Sequence, residues 1–427
     1  MTALKEYARD RDLLVRLGDE DLRLPEDHEM VSLVREHLCT ASAPKPIAAR
    51  WVFARWKPAT SVLGCWTVSF DDETERLVSL KRYSGPKADL VGASFRDNEH
   101  MQKAAAPLIP FAHIAASGAL LTSFPVDRVL RGAARVLDLR RTGRALDDAG
   151  LWPGKVFRRR SSRIELLRYK PERRAVLSLQ AELKVREEGG ARAAGSRRLG
   201  VRVLEADEAR RIVERRESIP AGILPGLLHT ELETGLLFEE WVDGEPVGSE
   251  DFSQAAASAA ALSRLHAEGI ESEGHRRRRS GAAELLGRVP ELERAAAAIE
   301  SVGELPTTCW VHGDFHPDQL TRTEDGFRLL DADALRPGTP EEDFSSWIAD
   351  HVAHDSRVTL QEASAPLFEG YGAAAVSLDL ELIRGLVAEE LIARAAAGLR
   401  RLQEDAEKRA SNLIERAVRI VQESLTR

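Results

Sequence analysis

Hydrophobic positions fall into two regimes along this chain. Up to about residue 240 they come in short blocks bounded by Gly, Pro and charged residues: Ser61 to Phe70, Leu77 to Lys81, Ala175 to Leu183 and Leu199 to Leu204. Blocks of that length and composition predict β-strands. Beyond residue 250 the spacing becomes helical. Leu262, Leu265, Ile383, Leu386, Val387, Leu391, Leu399 and Leu402 suit buried helix faces, and Ser411 to Glu423 continues the pattern. One short strand, Phe327 to Leu330, is predicted there after the turn Glu324-Asp325-Gly326. The fold class is therefore α+β, strand-rich first and helical later.

The strand-rich half contains an internal echo. Arg55-Trp56-Lys57-Pro58, a strand, a charged turn and Leu77 to Lys81 recur as Arg168-Tyr169-Lys170-Pro171, a strand, a longer polar turn and Leu199 to Leu204, with Lys57 and Lys170 113 residues apart. Both copies read strand, Lys-Pro turn, strand, hairpin, strand. Only the second leads into a helix, Ala206 to Glu217, and on to Leu236 to Glu240. Pro125 to Gly150 reads as a helical connector between the copies, and Lys81 matches Arg202.

The chemistry is concentrated between Trp310 and Trp347, in W-V-H-G-D-F-H-P-D-Q-L, L-L-D-A-D-A-L and R-P-G-T-P-E-E-D-F-S-S-W. Phosphoryl transfer needs a carboxylate to orient the attacking hydroxyl and accept its proton, and hard oxygen ligands for magnesium on the nucleotide phosphates. Asp314 suits the first role. Gln319, five residues on, and Asp331, twelve further, suit the second. His312 and His316 read as structural, and Asp343 as a cap for the helix that Phe344 and Trp347 begin, or as a brace for the loop.

His312 to Gln319, Leu330-Asp331 and Gly338-Thr339-Pro340-Glu341-Glu342-Asp343 resemble the catalytic loop, metal-binding aspartate and following segment of the aminoglycoside phosphotransferase and choline kinase-like family. Gly235 to Pro246 resembles that family's hinge, and Ala260 to His266 the helix after it. The resemblance implies a protein-kinase-like two-lobe fold with ATP and magnesium as cofactors. It implies Asp314 as base, Asp331 as magnesium ligand, and Glu240, Trp241 and Val242 passing the adenine with their backbone groups. Two positions depart from the pattern. Gln319 stands where the family usually has Asn, and Arg202 where a strand lysine normally holds the phosphates. No glycine-rich phosphate loop is visible; the turn Lys170 to Arg174 stands in its place, with Arg173 able to pair phosphate oxygens and Pro171 lacking an N–H. Glu208 or Glu214 is a candidate partner for Arg202.

The domains expected are an added N-terminal α+β module resembling a duplicated small lobe (1–150), a nucleotide-binding small lobe (151–238) and a helical large lobe (239–427). The function expected is ATP- and magnesium-dependent transfer of phosphate to a hydroxyl of a sugar, aminosugar, aminoglycoside-like compound or amino alcohol. The alternative is a kinase-like binding or regulatory protein. Asp350, Asp355, Glu389 and Glu390 are candidates to line a site for a cationic acceptor, or are solvated helix faces.

Composition narrows the partners. A formal charge of −8 argues against a general nucleic-acid binder, since phosphate backbones reward clustered Lys and Arg. Arg158-Arg159-Arg160 and Arg276 to Arg279 read as solvated loop charge. No apolar run approaches the ~20 residues of a membrane span and the N-terminus has no apolar signal core, so a soluble cytoplasmic protein is expected. The 3 cysteines, far apart, fit neither a disulfide framework nor a zinc pattern.

Overall fold

The computed structural model describes residues 9–10, 12–95, 104–187, 190–248, 250–270, 274–277, 282, 285, 304–423 and 425. The chain divides into two compact units, one of Met1–Arg210, Leu227–Trp241 and Arg400–Glu404, the other of Arg211–Gly226, Val242–Leu399 and Asp405–Arg427. The expected modules 1–150 and 151–238 thus fall almost wholly within one unit.

That first unit holds two antiparallel sheets. Strands β1 (Pro46–Lys57), β2 (Ser61–Phe70), β3 (Glu75–Tyr83), β4 (Phe111–Ile114) and β5 (Ala119–Ser123) form one, in the order β1-β2-β3-β5-β4. Strands β6 (Val156–Phe157), β7 (Arg163–Lys170), β8 (Arg174–Glu187), β9 (Gly190–Val203), β10 (Leu227–Glu231) and β11 (Leu236–Glu240) form the other, in the order β10-β11-β9-β8-β6 with β7 also on β8. The near-continuous apolar run of β2 has its reason in the packing: the strand is covered on both faces. Cys65 joins a core shared with Leu177, Leu179, Val201 and Phe238 of the second sheet, while Trp66, on the opposite face, donates its indole N–H to Asp27 of the helix Asp27–His37. The connector folds as two helices, Gly132–Leu137 and Leu139–Asp148, and adds Ala133, Val136 and Leu146 to the same core.

The echo in the sequence has a structural counterpart. Both β1-β2-β3 and β7-β8-β9 are antiparallel meanders, and their Lys-Pro turns carry a left-handed residue just after the proline, Ala59 (φ 53°) and Glu172 (φ 56°). The ladders agree as well. Lys81 sits opposite Leu63 and Arg202 opposite Val176, and Leu63 and Val176 are related by the same 113-residue offset as Lys57 and Lys170.

The second unit is largely helical, with helices Ala255–His266, Pro340–His354, Leu360–Tyr371, Leu380–Arg400 (to Leu399 in this unit) and Ala406–Ile420. Its short strands are β12 (Glu245–Pro246), β13 (Gly274–Arg277), β14 (Glu304–Thr307), β15 (Cys309–Val311), β16 (Leu320–Thr323), β17 (Gly326–Leu329) and β18 (Arg336–Gly338), of which the sequence predicted β17. Helices Ala255–His266 and Leu360–Tyr371 approach so closely that a Cβ on Gly370 would lie 1.9 Å from the Ala256 carbonyl oxygen. Ala295 to Ala298, Arg278 and Arg279 lie outside the described residues.

Candidate active site

The loop predicted to carry the chemistry is built around a buried carboxylate. Asp343 is fully buried inside the helix Pro340–His354, where Oδ2 accepts from the His312 backbone N–H at 2.7 Å and Oδ1 from that of Gly313 at 2.7 Å. His266 Nε2 lies 3.0 Å from Oδ2, and His266 Nδ1 lies 3.0 Å from the Tyr371 hydroxyl. Burial acts to raise the Asp343 carboxyl, but the hydrogen bond and charge of His266, with His312 and Gly313, hold it below its usual range. Of the two roles read for Asp343, the brace is present and the cap is not. Thr339 caps the helix instead, in a capping box with Glu342.

Two further contacts fix the same loop. His312, itself buried, donates from Nε2 to the Leu330 carbonyl at 2.7 Å, tying the loop to the residue before Asp331. Gly313 has φ 81°, and a Cβ there would lie 1.9 Å from Arg336 Nη1 and 2.4 Å from the Ala334 carbonyl oxygen, so the turn admits only glycine. With the backbone of His312 and Gly313 pinned, Asp314 follows at the loop tip with its side chain 59% exposed.

Gln319 and Asp331 occupy the open end of one hairpin. Strands β16 and β17 pair Leu320 with Leu329, and the Leu330 N–H adds a further bond to the Gln319 carbonyl at 2.7 Å. Asp331 then turns through a left-handed conformation (φ 54°). The buried Gln319 amide nitrogen donates to His316 Nε2 at 3.1 Å, which leaves the amide oxygen as the atom for a cation. Burial lowers the His316 imidazole despite the nearby Asp314 carboxylate, 3.9 Å away, so the ring is neutral at pH 7 and does not cancel that charge. Among the described residues no group of three or more His, Cys, Asp or Glu is placed to hold a metal. One carboxylate and one amide oxygen nonetheless match magnesium, which keeps waters and phosphate oxygens in most of its positions.

The nucleotide-binding candidates of the first unit are differently disposed. Arg202 is buried and pairs with Glu239 of the adjacent strand at 2.7 Å, so its guanidinium already serves a carboxylate; the partner is neither Glu208 nor Glu214 in this pair. Arg173 is exposed in the turn after β7. Lys170, in the same turn, is pushed down to about 7 by burial and by Arg168, Arg174, Arg401 and Arg173 around it. Glu240 ends the β9–β11 ladder opposite Leu199 and is exposed. Trp241, just past the ladder, has the Arg198 guanidinium 3.7 Å over its ring. Val242 begins the second segment of the second unit and is half-buried.

The acidic groups offered for a cationic acceptor are mostly engaged. Asp350 pairs with Arg394 at 2.8 Å and Asp355 with Arg357 at 2.7 Å, and Glu389 is buried. Asp355 is held down at about 2 by its hydrogen bonds from Arg357. What the sequence did not reveal is the partnership of His266 with Asp343; a histidine ending one helix and an aspartate in the first turns of another carry no sign that they meet.

Residues 192–380 match the model of the phosphotransferase enzyme family, APH. The matched segment is a little under half of the chain and begins within β9. Among solved structures the chain is similar to an ethanolamine kinase of Plasmodium vivax, with 10% identity and a TM-score of 0.43 over 61% of this chain and 82% of that one. It is similar also to a choline kinase from Cryptosporidium parvum Iowa II, with 11% identity and a TM-score of 0.43 over 66% of this chain and 95% of that one. An aminoglycoside phosphotransferase from Alicyclobacillus acidocaldarius has 16% identity and a TM-score of 0.36 over 57% of this chain and 87% of that one. No curated protein sequence matches the chain. Among the described residues no helix is long and apolar enough to cross a membrane.

Proposed function

We propose that the protein is an ATP- and magnesium-dependent kinase that transfers the γ-phosphate to a hydroxyl of a small molecule, a sugar, aminosugar, aminoglycoside-like compound or amino alcohol. The observation that carries this reading is the buried Asp343, whose two oxygens hold the backbone of His312 and Gly313 and so fix the loop that presents Asp314. A scaffold protein has no physical need for an exposed carboxylate on so constrained a loop.

In the reaction Asp314 accepts the proton of the acceptor hydroxyl as its oxygen bonds to the γ-phosphorus and the bond to the bridging oxygen of ADP breaks. Asp331 and the Gln319 amide oxygen would hold the magnesium, which when bound neutralises charge on the phosphate oxygens. Glu240, Trp241 and Val242 would pass the adenine, and Arg173 would pair phosphate oxygens. His312, through Leu330, keeps the hairpin end in register with the loop, so positioning supplies most of the rate enhancement.

Calorimetry of ATP binding with and without magnesium, on wild type and Asp331→Ala, tests the reading without knowledge of the acceptor. Magnesium-dependent binding that the variant loses supports it and justifies a screen of hydroxyl acceptors, in which Asp314→Asn should turn over at least ~100-fold more slowly. A second reading, a kinase-shaped binding or regulatory protein, is favoured by the engagement of Arg202 with Glu239. Absence of magnesium-dependent ATP binding in the wild type would select it.

A further inference from the structure

The turn Lys170 to Arg174, which stands where a phosphate-binding loop would lie, is gripped from outside its own sheet. Glu172, at its tip, directs a largely buried carboxylate at three cations from the first half of the chain: Lys81 of β3, Arg55 of β1 at 3.2 Å and Arg128 at 3.4 Å. Its backbone N–H donates to Asp127 Oδ2 at 2.8 Å, and the same oxygen accepts from the buried Tyr169 hydroxyl at 2.8 Å. The other Asp127 oxygen accepts from the backbone N–H groups of Val129 and Leu130, so Asp127 is itself fixed.

These contacts compensate for a poor turn. Glu172 takes a left-handed conformation (φ 56°) that costs a non-glycine residue on the order of 1 kcal/mol, and Pro171 provides no N–H. A free turn of this composition would sample other conformations. Lys81, Leu63, Ser79, Leu120 and Thr122 instead close around Pro171 and Glu172 in a small pocket between the two sheets. Burial acts to raise the Glu172 carboxyl, yet Lys81, Arg128 and Arg55 hold it below its usual range, so it is ionised at neutral pH.

We infer that the N-terminal sheet and the start of the connector after it clamp the nucleotide-binding turn, with Lys81 and Arg55 from the sheet and Asp127 and Arg128 from the connector as positioning residues that hold Lys170 to Arg174 in the conformation that receives the ATP phosphates. Lys81 thereby differs from its ladder counterpart Arg202. Arg202 pairs within its own sheet, whereas Lys81 reaches across to the other. The inference rests on the kinase reading for the identity of the anion, but the clamp is a property of the turn alone.

The test separates the two. Hydrogen exchange of the backbone amides from Glu172 to Ala175 is compared in wild type, Lys81→Met, Glu172→Gln and Lys81→Arg, and KM for ATP and kcat are measured on the same proteins. Loss of the clamp should speed exchange at the turn and raise KM for ATP about tenfold while kcat changes less than about threefold, the pattern of lost pre-organisation. Lys81→Arg should recover most of both effects, and amides in the middle of β2 should be unaffected, which distinguishes clamping from global loosening. Unchanged exchange at the turn, or unchanged KM in a wild type that binds ATP, would overturn the clamp. Faster exchange in the variants of a wild type that binds no ATP would uphold the clamp and overturn the kinase reading.

Discussion

Replacing Asp343 by Asn keeps the shape of the side chain and removes its charge and one acceptor. In the wild type each oxygen meets a backbone N–H at 2.7 Å, and His266 adds a third contact at 3.0 Å, all without solvent. With its single oxygen toward His312 and His266, the amide would set an NH2 against the Gly313 N–H, leaving two donors facing each other. An unsatisfied buried donor costs about 1–3 kcal/mol, and the surviving bonds fall from charge-assisted to neutral strength, about 1 kcal/mol each. The expected loss is about 3–5 kcal/mol, the range for breaking one side of a buried charged network. Urea unfolding followed by fluorescence of Trp347, buried one turn along the same helix, measures it. The sign with pH follows from linkage. Because folding lowers the Asp343 carboxyl, its contribution is complete above the unfolded value of 3.8 and is lost as pH falls through the lower folded one. The gap between wild type and variant should therefore narrow on acidification below that value. Asp314→Asn is the control, since that side chain is 59% exposed and its removal should change stability by less than about 0.5 kcal/mol. A loss below about 1 kcal/mol in Asp343→Asn, or a gap that ignores pH, would refute the brace.

Three more outcomes are expected. Gly313→Ala, whose Cβ would meet a backbone carbonyl oxygen at 2.4 Å, should destabilise the second unit by roughly 2 kcal/mol or more and depress turnover with it, as read by urea unfolding and assay. Arg202→Met removes one side of the Arg202–Glu239 pair, whose carboxylate is 12% exposed, and should cost about 3–5 kcal/mol with partial recovery in Arg202→Lys; a change in ATP affinity without a stability change would show that Arg202 reaches the nucleotide after all. Lys170, lowered to about 7 from 10.5, binds its proton more weakly when folded, so it contributes stability that rises with pH across that interval. A phosphate at the turn favours the charged form, so ATP binding should tighten and take up a proton as pH falls from about 8 to about 6, and Lys170→Met should abolish both effects.

What could be read from the sequence was local. The strand Ser61–Phe70 and the helix Ala206–Glu217 stand as predicted, because a contiguous apolar run and a charged, high-propensity segment carry their own signal. The strand predicted at Phe327 to Leu330 begins and ends one residue earlier, within the ±2–4 residues by which such boundaries wander. The cap was legible too. Thr339 followed by Glu342 is the capping-box pattern, and it competes with Asp343 for a role that only one of them can take. Partners distant in sequence were not legible. That Arg202 faces Glu239 depends on β11 lying beside β9, and that Glu172 draws in Arg55, Lys81 and Arg128 depends on two sheets sharing one core. Strands of two to four residues in the helical half carry too few positions to register a period of two.

The segment Arg400–Glu404 belongs to the first unit although the helices on both sides of it belong to the second. Its Leu402 carbonyl accepts from the Asp10 N–H at 2.9 Å, and Arg9 bridges to Gln403. During synthesis the strand-rich unit therefore cannot complete its contacts until Glu404 has emerged, although its own strands finish at Glu240. At ribosomal rates of roughly 5–20 residues per second the interval from Glu240 to Glu404 lasts on the order of 10–30 seconds, during which that piece of surface waits for its last five residues. A ribosome-stalled chain ending at Trp241 should be more readily cut by protease near Asp10 than one released after Glu404. Neither unit can be expressed whole from a single uninterrupted stretch of the gene.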